Sequence, residues 1–197
     1  MKSERLEAFT DGVVAIIITI MVLELHVPES ASLAALRAAV PVLLAYVLSY
    51  VNVGLYWNNH HHLLQATEHI DGRVLWANLF LLFWLSLVPF VIRWIDAAGV
   101  VPLPVAAYGF VLGMAALGYL LMERAIIAVN GRDSTLAQAL GRDRKGKLSI
   151  AAYLVATPIS FLSPAVAILL YIAVIAVWLI PDRRIERKLL EEEEATN

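Results

Sequence analysis

Cysteine is absent from the 197 residues. That excludes a disulfide framework, a thiol nucleophile and a thiolate metal site. Charge is scarce as well, with 16% Asp, Glu, Lys and Arg against the roughly 25% of a typical soluble domain. The net charge of −2 gives no basic surface for nucleic acid. Phosphate-binding glycine loops, an HExxH metal motif and a nucleophile triad are all missing. No catalytic constellation converges, so an enzyme is not expected.

What is present is apolar. Hydrophobic residues make up 60% of the chain, and its mean hydropathy is +0.74. So many apolar side chains need a non-aqueous surrounding. A membrane-crossing helix takes about 20 mostly apolar residues for about 30 Å of hydrocarbon. That ruler gives six candidate spans, about Leu6–Leu25, Leu33–Trp57, Val74–Ile95, Leu103–Ile127, Leu148–Phe161 and Ala165–Ile180. The first carries Asp11 and Thr19 and has no small-residue cleavage site after it, so it reads as a retained span rather than a signal peptide. Joining the last two into one helix is the alternative. At 1.5 Å per residue that helix would be about 50 Å long, and it would hold Pro158 and Pro164. Six spans are therefore expected, in an all-α integral membrane protein.

The basic residues orient these spans. All Lys and Arg except Arg37 and Arg93 fall on one side of the six-span arrangement. The positive-inside rule makes that side cytoplasmic and places both termini there, in a multi-pass protein of the cell membrane. Residues 1–182 then form the membrane domain and 183–197 a charged cytoplasmic tail. The connection from Gly131 to Lys147 has room for a short helix, and Arg37 and Arg93 are expected to snorkel to the outer interface. Pro41, Pro89 and Pro158 mark candidate kinks.

Ionisable residues inside a span are costly and mark functional positions. The first span holds the richest set. At 100° per residue, Gly12, Ile16, Thr19, Ile20, Leu23 and Val27 share one face and Asp11 points nearly opposite. Such an apolar stripe is ordinarily a lipid-facing or packing surface, while Asp11 needs a partner. His60 and Asn78 lie at similar depth in the next two spans, and Trp57 shares a helix face with His60. A hydrogen-bonded network of Asp11, His60 and Asn78 is expected, with His60 as a helix cap the simpler reading. The run His60, His61, His62 does not converge on one ion, because successive helical side chains diverge by about 100°. No metal or cofactor is expected.

The run from Arg5 to Gly12 resembles the R-x-x-x-F-[S/T]-D signature that opens the first span of the transmembrane protein 175 family. Trp57-x-x-His60, and Asn78 followed by Pro89-Phe90, agree with the same family. Thr10 stands where Ser is commoner and keeps the hydroxyl. The motifs lie in about the first 90 residues, and the second half matches in hydropathy alone. The resemblance implies a potassium channel, with one six-helix unit per chain assembled as a homotetramer around a pore lined by the first helix. It carries the constriction to Ile16, with Ile20 and Leu23 further out, and gives the Thr19 hydroxyl a role beside the permeating ion. It assigns Arg5, Phe9, Thr10, Asp11, Trp57, His60 and Asn78 to a network holding the pore helices together. A TVGYG filter is absent from the sequence, so a leak-type pathway with modest preference for potassium is implied. The partners implied are further copies of the chain, lipid and potassium ions. A proton-coupled carrier titrating Asp11, His60 and Glu24 is the first alternative, although no repeated half is visible. A non-transporting membrane scaffold is the other. The last three spans are expected to form a lipid-facing scaffold.

Overall fold

In a computed structural model, residues 3–28, 30–140 and 143–179 are described. The charged tail assigned to 183–197 lies outside them. They form eight helical segments, with no strand among the described residues: α1 (Glu4–Leu23), α2 (Leu33–Gln65), α3 (Gly72–Ser86), α4 (Val88–Ala98), α5 (Pro102–Asn130), α6 (Thr135–Leu140), α7 (Arg144–Ile159) and α8 (Pro164–Leu179).

Helices start where the sequence supplies a cap. The Ser32 hydroxyl accepts the Ala35 amide at the head of α2. The Asp71 carboxylate accepts the Arg73 and Val74 amides at the head of α3. The Arg73 guanidinium bonds the same carboxylate and holds it below the usual carboxylate range. Prolines open α5 and α8, where a missing amide hydrogen costs nothing.

α3 and α4 form a single 27-residue crossing interrupted at Leu87. Pro89 has no amide hydrogen for the Leu85 carbonyl, and its ring crowds that carbonyl. The chain tightens there, with the Leu87 amide on the Trp84 carbonyl, and resumes with Val91 on Leu87. Of the three candidate kinks, only Pro89 interrupts a helix. α2 runs on through Pro41, and Pro158 sits in the last turn of α7.

Among the described residues, four helices are long and apolar enough to cross a membrane: α1, α2, α3 with α4, and α5. The protein is thus a multi-pass membrane protein. α7 has 16 residues, about 24 Å at 1.5 Å per residue, and α8 is apolar over its 16 described residues. The expected short helix between α5 and α7 is α6. α2 continues two turns past Trp57, so His60 lies inside the helix rather than capping it.

α5 is the pillar of the subunit. It packs against α3, α4, α7 and α8, and more of it is buried than of any other crossing helix. This corrects, for the fourth span, the expectation that the last three spans face lipid. Lipid tails are as apolar as Leu, so hydropathy does not separate a protein neighbour from a lipid one. The close approach rests on small residues. A Cβ on Gly118 would stand 2.9 Å from the Leu81 Cα, and one on Gly109 would overlap the Tyr171 ring. α1 and the first half of α2 lie at the edge, and α1 touches only α2, α3 and α4 closely.

Candidate functional site: the two faces of the first helix

α1 buries Leu6, Thr10, Val14, Ile17 and Met21, a stripe at helical spacing, against α2–α4. The other side is open. Ile16 is 58% exposed and Leu23 79%, with Gly12, Thr19 and Ile20 also exposed between or beside them. The Thr19 hydroxyl donates to the Ile16 carbonyl at 2.9 Å. Its proton is therefore spent on the helix, and its oxygen lone pairs remain as acceptors on the open face.

Two hydrogen-bonded groups hold the N-terminal half of α1. The first is buried. Asn78 Nδ2 donates to Thr10 Oγ1 at 3.0 Å, and His60 Nε2 donates to Asn78 Oδ1 at 2.9 Å. Thr10, His60 and Asn78 are each at most 2% exposed. One amide thus ties α1 to α2 through α3, using both of its ends.

The second group is more exposed and has the form of an antiparallel ladder. Trp57 Nε1 donates to Asp11 Oδ1 at 2.8 Å, and one turn along His61 Nδ1 bonds Glu7 Oε1 at 2.5 Å. Gln65 Nε2 donates to His61 Nε2 at 2.9 Å, which assigns the His61 proton to Nδ1. Trp57 also stacks on the His61 ring, with centroids 6.4 Å apart.

The expected network is therefore divided differently. Asp11 meets neither His60 nor Asn78; Thr10 does. Asp11 is exposed and takes Trp57 instead, so Trp57 and His60 serve separate groups. Among the described residues the Arg5 side chain makes no hydrogen bond or ion pair, and Phe9 is 52% exposed. The Glu7–His61–Gln65 arm was missed. Its signal was present in two i,i+4 pairs, Glu7 with Asp11 and Trp57 with His61, which face one another on antiparallel helices.

At the C-terminal end of α1, Glu24 pairs with Arg93 of α4 at 2.7 Å, and His26 bonds Asp96. Arg93 thus has a protein partner besides the interface to which it was expected to snorkel. Below this rim an open groove of about 870 Å³ runs between α1 and α3–α4, bounded by Ile16, Ile20, Pro89, Phe90 and Trp94. Among the described residues no three His, Asp or Glu side chains gather as a metal site. His60 turns inward to Asn78 while His61 turns to Glu7.

These features define a polytopic helical membrane protein whose first helix is anchored along one face and open along the other. A family model described as the endosomal/lysosomal potassium channel TMEM175 matches residues 5–89. A protein of Chryseobacterium sp. named as a potassium channel is 50% identical over 191 residues, 97% of this chain and 100% of that one. The human protein named endosomal/lysosomal proton channel TMEM175 is 44% identical over 84 residues, 34% of this chain and 17% of its own length. The fold is similar to the crystal structure of a lysosomal potassium-selective channel TMEM175 homolog from Chamaesiphon minutus. The TM-score is 0.75 at 24% identity, covering 91% of this chain and 97% of that one. The chain belongs to the TMEM175 family.

Proposed function

We propose that the chain is one subunit of a potassium-permeable channel in which the open face of α1 lines the pore. The observation that carries this reading is the exposed stripe Ile16, Thr19, Ile20 and Leu23 on a helix whose opposite face is anchored. Four copies brought together on that stripe, as a homotetramer, would close a ring of Ile16 side chains that gates by width and wetting. The Thr19 oxygens would supply acceptors to a partly dehydrated ion. With apolar rings in place of a carbonyl cage, the pathway is leak-type and favours potassium modestly. The six crossings comprise α1, α2, α3 with α4, α5, α7 and α8, and residues 1–182 form the channel domain. The Lys and Arg distribution supports cytoplasmic termini and a plasma-membrane setting.

The test is flux from liposomes holding purified protein. Potassium is expected to leave down its gradient faster than sodium, and Ile16→Asn is expected to raise the flux by widening and wetting the ring. Absence of passive flux in the wild type would sink the reading in favour of a scaffold, and saturable proton-coupled flux would favour a carrier.

A second reading takes the proton as permeant ion. It is favoured by the names of the mammalian relatives, which match 34% of this chain. Liposomes with an internal pH dye and an impermeant cation in place of potassium separate the two, because proton conduction alone acidifies them.

A further inference from the structure

The two ends of α1 are fastened by different means. Its N-terminal half is tied to α2 and α3 through Trp57, His61 and Asn78. Its C-terminal end turns to α4 instead. Met21 is the last buried side chain of α1, and none of residues 22–28 is buried. Among the described residues, the side-chain bonds of that segment go to α4 alone. Glu24 pairs with Arg93 at 2.7 Å, and His26 Nδ1 donates to the Asp96 carboxylate. Arg93 and Asp96 stand three apart on α4 and so share one of its faces.

Leu23 opens this segment beside Glu24 and is 79% exposed. On the pore reading, which this inference presupposes, copies of Leu23 face one another across the axis. Apolar side chains left in water attract one another, and that attraction draws the C-terminal ends of α1 together. Glu24 lies about 100° round the helix from Leu23. A pull on Glu24 towards α4 of its own subunit is therefore a pull away from the axis.

We infer that the Glu24–Arg93 and His26–Asp96 pairs form a tether that holds the C-terminal end of α1 on α4 and keeps the mouth at Leu23 open. Arg93 and Asp96 are positioning residues, acting on the ion path only through α1. The helix is divided by task. The buried group of Thr10, Asn78 and His60 fixes its N-terminal half, and exposed pairs set how far its other end leans. Exposed pairs are weak, so this is the end of α1 that small changes can move.

Two measurements on the full-length protein test it. Amide exchange in nanodiscs reads the tether without reference to conduction. In Glu24→Gln and in Arg93→Gln, amides of residues 22–28 are expected to exchange about threefold faster, the scale of one exposed ion pair. Amides of residues 6–14 are expected to keep their rates. The exchanged pair, Glu24→Arg with Arg93→Glu, is expected to return to the wild-type rate. Potassium flux from liposomes reads the mouth. Glu24→Gln makes the mouth more positive and Arg93→Gln makes it more negative, so a field effect alone would move the flux in opposite directions. The tether predicts about threefold slower flux in both, and recovery in the exchanged pair. Unchanged exchange in both single variants would overturn the tether, whether or not the protein conducts. Faster exchange with fluxes that diverge or stay level would overturn its role at the mouth. A wild type without flux would remove that role along with the pore reading, and amide exchange would still decide the tether. Should the exchanged pair fail to fold, the two single variants decide.

Discussion

Asn78 joins three helices with a single side chain, and that sets what its loss should do. Asn78→Leu keeps the volume and strands the His60 Nε2 donor and the Thr10 hydroxyl, both buried. In soluble proteins a stranded buried group costs about 1–3 kcal/mol. Within bilayers, measured hydrogen-bond contributions average about 0.6 kcal/mol and reach about 1.7, because the unfolded state finds other partners. The membrane figures are the better guide, so a loss of about 1–2 kcal/mol is expected, read as a lower melting temperature in detergent. Trp57→Phe removes an exposed bond to Asp11 and should cost less than half of that. If the two variants melted together, the buried triad would not be the main fastening. At this scale the sequence named Thr10, Asp11, Trp57, His60 and Asn78 but misjudged who bonds whom. Depth along a span is readable from residue number, whereas azimuth is settled by how α1 rotates against α3. A turn of one residue exchanges Thr10 for Asp11.

Among the elements, α5 shows where sequence reading stops. Its limits at Pro102 and Asn130 follow from hydropathy and proline placement, within three residues of expectation. Its central position does not follow, because a helix surrounded by helices and one surrounded by lipid are equally apolar. The spacing of small residues is the remaining clue. Gly118→Ala puts a methyl 2.9 Å from the Leu81 backbone, which cannot move aside as a flexible side chain would. Separation of α3 from α5 is the expected result, with a loss of about 1–3 kcal/mol from overpacking. At Gly12, a Cβ meets nothing within 4 Å, so Gly12→Ala should leave the melting temperature unchanged or slightly raised. Thermal melting of the two variants side by side measures the difference. α2 offers the opposite lesson, since its span was expected to end near Trp57 and the helix runs two further turns, to Gln65, that carry part of the anchor.

For the whole molecule, the open face of α1 predicts how copies meet. The absence of cysteine makes the wild type a clean background for single replacements. Ile16→Cys, on the open stripe, is expected to give a covalent dimer on mild oxidation, since a disulfide needs Cα atoms within about 7 Å. Leu154→Cys on α7, at 71% exposure, is equally accessible and is expected to stay monomeric. Non-reducing electrophoresis reads both. The reverse pattern would place α7 between copies and α1 against lipid, and would end the pore reading.

The division of α1 into an anchored face and an open one also bears on how such a chain can change over time. Substitutions at 16, 19, 20 or 23 disturb the packing of the subunit little, because those side chains are exposed. Substitutions at 6, 10, 14, 17 or 21 disturb the anchored stripe itself. Selection can therefore act on the outward stripe without endangering synthesis, insertion or folding of the monomer. A lineage built on this scaffold is free to explore new behaviour one side chain at a time.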